Sequence, residues 1–447
     1  MLLSALAGLF VAAQASGAPL TLQTLHAFGV NAHPAAELSR ATDGNFYGTT
    51  VGGGTKGDNG TVYRITPAGV VTVLYSFGGD DGSIPAAGLV QGTDGLLYGT
   101  TQFGGLGDFG TIYRISTSGQ FMSLRAFSGT DGSSPQATLT QGTDGNFYGT
   151  TRTGGTGANG TIFRITPAGA FTTLYSFPAN GRMGRFPAGR LVQASDGHFY
   201  GTTAAGGATT ENGTIFRITI AGQFNSLASF NGANGSGPAA GMIQSTDGNL
   251  YGTTETGGLT DNGTVFRSTT AGAVASLFSF TGANGNFPRA PLVRGTDGNF
   301  YGTTSGDRTF GGTNTFGTVF RITPAGALSN LIIFNGMNGS TPVAGLTLTA
   351  EGQFYGTTFE GGPTGGGTVF RLVEGPVITS ITPIGGSVII TWTSDPGRVY
   401  RVEYNGASLN PGGWIPLSPD ITAVSTLTSF THNLGGATVR FFRIRLL

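Results

Sequence analysis

Seven copies of one phrase govern how this chain can fold. "TDGNFYGTT" stands at Thr42–Thr50, Thr143–Thr151 and Thr296–Thr304, and close variants start at Thr93, Ser195, Thr246 and Ala350. Their tyrosines, Tyr47, Tyr98, Tyr148, Tyr200, Tyr251, Tyr301 and Tyr355, are spaced by 51, 50, 52, 51, 50 and 54 residues. A period near 50 marks an architecture built from one repeated supersecondary unit. In the unit Pro85–Phe127, "AAGLVQG", "LLYGTT", "GTIYRIS" and "QFMSLRAF" read as four short antiparallel strands, A to D, joined by turn residues. No helical period interrupts them.

Four-stranded units of this length predict propeller blades. The strand count is offset. Strand D ("VVTVLYSF" and its relatives) follows the first six phrases, whereas the seventh unit stops at "GTVFRLVEG". The missing strand stands at the other end of the chain, as "LTLQTLHAF" (Leu20–Phe28). A ring has a use for that offset, because the first strand then pairs with the last C strand and leaves no open edge. The expectation is an all-β chain: a seven-bladed β-propeller of four-stranded blades over 19–373, closed by the N-terminal strand. In the phrase itself, Asp-Gly suits a turn with positive φ. The glycine of YGTT reads as a place where neighbouring blades approach, and the Phe/Leu-Tyr pair puts apolar groups on both blade faces.

YGTT-x-x-GG, G-T-[VI]-[YF]-R-[IL] and the closing L-x-x-F resemble the Gloeo/Verruco tandem-repeat proteins over roughly residues 20–373. That resemblance implies an exported, surface-associated protein and brings no catalytic residues with it. After "VEGP" (Val373–Pro376) the period ends. "SVIITWTS", "RVYRVEY" and "RFFRIRLL" alternate apolar and polar residues, which predicts a small antiparallel β-sandwich over 374–447. Its Tyr400, Val402 and Tyr404 are expected inward, and Arg401 and Glu403 outward. The W…GRVYRVEY…W…RFFRIRLL pattern resembles a fibronectin type III-like module, which implies a spacer or adhesion unit; Trp414 is read as a core residue.

Composition narrows the function. Balanced charge, 22 Lys+Arg against 22 Asp+Glu, supplies no basic stripe for nucleic acid and no polybasic membrane patch. Without cysteine there is no disulfide, thiolate metal site or thiol nucleophile. The apolar run Leu2–Ala13, followed by Ala13-Gln14-Ala15, reads as a signal peptide over 1–18 and places the protein outside the cell or at its surface. No later segment has the length and apolarity of a transmembrane helix. A monomer is expected.

Arginines recur on strand C (Arg64, Arg114, Arg164, Arg217, Arg267, Arg321, Arg371) and acids in the A–B turn (Asp43, Asp94, Asp144, Asp196, Asp247, Asp297, Glu351). A ladder of carboxylate–guanidinium bridges is the expectation. The B–C and D–A loops share the opposite face, and they vary. Variable loops on a rigid scaffold are where binding is usually placed. Asp80, Asp81, Asp131, Arg182, Arg185, Arg190, Arg289, Arg294, Asp307 and Arg308 are the binding candidates there, for an acidic glycan or a protein partner. Calcium is the one candidate cofactor, through Asp58, Asp108, Glu211 and Asp261, since loop oxygens suit that ion. "GLGDFG" and "GTGANG" match a dinucleotide fingerprint, but a strand follows where a helix is required. The "NGT" repeats read as Asn-Gly turns. The four histidines form no cluster. Two functions remain: a non-catalytic interaction or adhesion protein, or a secreted polysaccharide hydrolase or lyase with its site on the same face.

Overall fold

The computed structural model describes residues 20–208, 210–306, 316–376, 378–394, 397–405, 414–433 and 441–446. Every regular element among them is a strand. Two compact units emerge, Leu22–Leu372 and the C-terminal residues from Val373.

The first unit is made of four-stranded antiparallel sheets, seven among the described residues. Sheet 2 represents them: Val90–Gln91 (A), Leu97–Thr101 (B), Thr111–Ile115 (C) and Phe121–Ala126 (D), hydrogen-bonded in that order. Sheet 7 takes three strands from its own repeat, and Leu20–Ala27 from the N terminus pairs with its strand C. Strand B is fully buried in every sheet.

The repeated phrase resolves into separate jobs. The Tyr ring of one sheet stacks on the Phe before Tyr in the next: Tyr98 on Phe147 at 4.0 Å, Tyr148 on Phe199 at 4.1 Å, Tyr251 on Phe300 at 4.2 Å. Tyr355 of sheet 7 meets Phe46 of sheet 1 at 4.2 Å, so the last sheet packs on the first as any neighbour does. Each apolar cluster accordingly draws on two adjacent sheets, as where Tyr98, Ile112 and Phe127 meet Leu139, Phe147 and Phe163. The final Thr of YGTT bonds the first Thr of strand C, Thr101 to Thr111 and Thr151 to Thr161, both at 2.8 Å. The Thr before it reaches the next sheet: Thr49 Oγ1 donates to Ala87 O (3.1 Å), and Thr357 Oγ1 to Ala36 O (3.0 Å) across the junction of sheets 7 and 1.

The glycine has a different role from the expected one. A Cβ on Gly149 would lie 2.6 Å from Phe163 Cζ and 2.7 Å from Leu139 Cδ2, both in its own sheet. The glycine admits the strand C aromatic over the pleat; it does not mediate approach between sheets.

The expected charge ladder is also replaced. The turn acids are exposed, and their partner is the phenol of YGTT: Tyr98 Oη donates to Asp94 (2.6 Å), Tyr148 to Asp144 (2.8 Å), Tyr200 to Asp196 (2.7 Å). The strand C arginines make none of the predicted bridges among the described residues; Arg114 donates instead to Pro167 O (3.1 Å) and Arg371 to Gln23 (2.7 Å). Tyrosine wins because it reaches its own turn from four residues away along a rigid strand. Burial first, and then the carboxylate beside it, push the Tyr98, Tyr148 and Tyr200 phenols up to about 12. Glu351 finds the bridge the others lack, with Arg40 of sheet 1 at 2.6 and 3.1 Å. That bond holds the Glu351 carboxyl down at about 2.

In the second unit, Ile378–Ile384, Ser387–Thr393 and Leu427–Asn433 form one antiparallel sheet, and Val399–Asn405, Ile415–Thr422 and Phe441–Leu446 another. Val388, Ile390 and Trp392 from the first share a core with Tyr400 and Val402 from the second. Alternation fails at Glu403, which is buried rather than outward and accepts from Arg443 Nε at 2.5 Å, while Tyr404 is only half-buried. Trp414 is half-buried under the Arg443 guanidinium, 4.5 Å from the ring centroid, instead of joining the core.

Candidate functional site

Each strand A is entered through P-x-[AG]-x-[LM]: "PAAEL", "PAAGL", "PQATL", "PAGRL", "PAAGM", "PRAPL" and "PVAGL". Just before each proline stands His33, Ile84, Ser134, Phe186, Gly237, Phe287 or Thr341, and all seven have positive φ, between 53 and 63°. Such a backbone is unfavourable for every one of them except Gly. It is held by a clamp. Ile84 N donates to Asn59 O of the preceding sheet (2.9 Å), and Ile84 O accepts from Gln102 N of its own (2.9 Å). His33 repeats the clamp between Gly366 of sheet 7 and Val51 of sheet 1, at 3.0 and 3.1 Å.

The clamp fixes what comes next. The residues after the prolines in all seven sheets line a single cavity of about 110 Å³. Its fourth-position residues are Glu37, Gly88, Thr138, Arg190, Gly241, Pro291 and Gly345, so two of seven carry charge. Those two meet: Arg190 Nη1 of sheet 4 donates to Glu37 Oε1 of sheet 1 at 2.8 Å. Gly345 and Gly88 flank Glu37, where a Cβ would lie 3.2 Å from its Oε2 and 3.1 Å from its Cγ. Arg289 and Gln136 add polar groups at the second position, and Arg289 is bound to Glu255 Oε1 at 2.7 and 3.0 Å.

Of the candidates named from sequence, Arg190 and Arg289 are brought to this cavity. Arg185 pairs with Glu211, one of the calcium candidates, at 2.7 Å and lies over Phe186. Asp131 is held by Arg125 and by Ser128 N (2.8 Å), Asp81 by Tyr75 and Gly78 N (2.8 Å); both secure their own loops. Asp80 and Arg182 are exposed. Arg294 belongs elsewhere. It ends strand A beside the A–B turn, where four sheets have Gln91, Gln141, Gln193 or Gln244 and the other two Arg40 or Leu348, and so lies on the opposite face. Asp307 and Arg308 fall outside the described residues. Asp108 Oδ1 accepts from Gly104 N (2.6 Å) and Asp261 Oδ1 from Gly257 N (2.7 Å), with Asp58 on Gly53 N in the same way. The four calcium candidates thus sit in the B–C loops of four different sheets and do not converge. Among the described residues no group of three or more His, Asp or Glu forms a metal site.

Sequence reasoning missed Glu37, Gln136 and Glu255. The signal was available in the fourth column of P-x-[AG]-x-[LM], where a lone acid and a lone base depart from small residues.

A model of the Gloeobacter/Verrucomicrobia repeat matches residues 8–207 and again 187–388. The chain belongs to that repeat family. No curated protein matches it. Among solved structures, the BP39L lectin from Burkholderia pseudomallei aligns at 11% identity and TM-score 0.51, over 79% of this chain and 95% of the lectin. A putative 6-phosphogluconolactonase from Bacteroides uniformis aligns at 14% and 0.48, over 86% and 99%. A gluconolactonase from Xanthomonas campestris gives 14% and 0.41, over 79% and 89%. At these identities the lectin likeness establishes a propeller-like fold and nothing more. No helix among the described residues is long and apolar enough to cross a membrane.

Proposed function

We propose that this is an exported, monomeric, non-catalytic interaction protein whose B–C and D–A loop face binds glycan. It is a seven-bladed propeller over 19–373, closed by its first strand after removal of a signal peptide at 1–18, with 374–447 as a fibronectin type III-like sandwich spacer. The observation that carries the reading is the cavity lined by all seven sheets, whose backbone is uniform and whose side chains are not. The acid that lines it, Glu37, is engaged by Arg190, and Arg289 of the lining is engaged by Glu255, so two acids do not face one another there as a hydrolytic pair would. The lectin is a precedent for a sugar-binding protein on this kind of scaffold. Since three of the candidate calcium ligands secure their own loops and Glu211 pairs with Arg185, binding is proposed to proceed without the ion.

A glycan array probed with and without a chelator tests this, followed by product analysis of any bound glycan. Binding that survives the chelator and leaves the glycan intact is the expected result. New reducing ends or unsaturated products would establish the hydrolase or lyase instead, and an array without any binder would defeat the reading.

A further inference from the structure

The ligand chemistry of the cavity follows from what its one ion pair leaves unused. A guanidinium carries five N–H donors in a planar fork. Arg190 gives one of them, on Nη1, to Glu37, and its side chain is 41% exposed. Among the described residues no hydrogen bond engages Nε or Nη2, and that edge matches a carboxylate in a two-point, charge-assisted contact. Glu37 is engaged through Oε1, which leaves Oε2 able to accept from a hydroxyl. The cavity thus offers a carboxylate-binding fork and a hydroxyl acceptor side by side. The Glu37 charge also disfavours a dianion such as a phosphate monoester, while a single carboxylate carrying a neighbouring hydroxyl satisfies both groups. About 110 Å³ admits several small polar groups, so the charged end of a sugar enters and its ring stays at the mouth.

We infer that the axial cavity is a subsite for a uronic acid residue: its carboxylate lies on the Nε–Nη2 edge of Arg190, and an adjacent hydroxyl donates to Glu37. This rests on the glycan-binding reading and narrows it to acidic glycans. Arg289 also lines the cavity, but its charge is taken up by Glu255, which leaves Arg190 as the fork for the carboxylate.

Methyl β-D-glucuronide and methyl β-D-glucoside, titrated by calorimetry into the intact chain, differ only in the carboxylate. The glucuronide is expected to bind about tenfold more tightly, as one charge-assisted contact implies. Arg190→Gln should abolish that preference, so that the two probes bind alike. Glu37→Gln is the second variant; it keeps the shape, removes the repelling charge, and should tighten the glucuronide severalfold. Equal binding of both probes, or a preference that survives Arg190→Gln, overturns the inference. If Arg190→Gln does not fold, a glucuronide affinity weakened or unchanged by Glu37→Gln overturns it. Neutral glycans bound on the array without any uronate preference would defeat the subsite alone, whereas an array with no binder at all would defeat the glycan reading beneath it.

Discussion

At the scale of single residues, two tyrosines in sheet 2 play opposite parts. The Tyr98 phenol donates to Asp94, whereas the Tyr113 hydroxyl is buried without a partner. Burial alone drives the Tyr113 phenol far above its ordinary range. Sheets 3 to 7 have Phe at the Tyr113 position. A buried hydroxyl without a partner costs about 1–3 kcal/mol, and a made hydrogen bond contributes about 0.5–1.5 kcal/mol net. Tyr113→Phe should therefore stabilise the protein by about 1 kcal/mol, and Tyr98→Phe should destabilise it by a similar amount. Chemical denaturation of the two variants beside the parent checks both signs, and a loss of stability in Tyr113→Phe would refute the first. The recurrence of acid, arginine and tyrosine was legible in the sequence, but their pairing was not. All three recur with one period, so spacing cannot say which two touch. The decision is made by strand register, Tyr98 opposite Arg114, and by the short reach of the phenol to its own turn.

At the scale of elements, glycines in two settings separate steric from conformational constraint. Gly149, in the middle of strand B, sits under Phe163 with no room for a Cβ. Gly237 has positive φ (63°), but the nearest atom to its added Cβ would be 3.8 Å away. Gly149→Ala overpacks a core and should cost about 1–3 kcal/mol. Gly237→Ala meets only backbone strain and should cost about 1 kcal/mol, reduced by the lower entropy of its unfolded chain. Melting curves of the two variants give the order, and equal losses would mean that the clash at Gly149 is relieved by movement of Phe163. Strand positions, turns and the A–B–C–D order could be read from the letters, because glycine and alternation punctuate them. The left-handed residue before each proline could not. His33, Ile84, Ser134, Phe186, Phe287 and Thr341 share a conformation that none of them prefers, because backbone bonds to two sheets impose it. A constraint carried by the main chain leaves no mark on side-chain identity.

At the scale of the whole molecule, the first strand sets the prediction. Leu20–Ala27 pairs with strand C of sheet 7, which has no other strand on that edge. Arg371 donates to Gln23 (2.7 Å), and Phe28 packs into the cluster shared by Tyr355, Val369, Leu38 and Phe46, from sheets 7 and 1. Removing Leu20–Phe28 should therefore damage two sheets at once: an edge of unpaired N–H and C=O groups opens on sheet 7, and its junction with sheet 1 loses apolar cover. The shortened chain is expected to melt at lower temperature and to self-associate through the open edge, which light scattering would report. A synthetic peptide of residues 20–28 added in excess should reverse that self-association, because the seat left by the strand retains its hydrogen-bonding groups and the cluster that Phe28 joins. A shortened chain that stayed monomeric with unchanged melting would show that the ring holds without its first strand. The clamps at His33 and the Arg40–Glu351 bridge would then be sufficient to join sheet 7 to sheet 1.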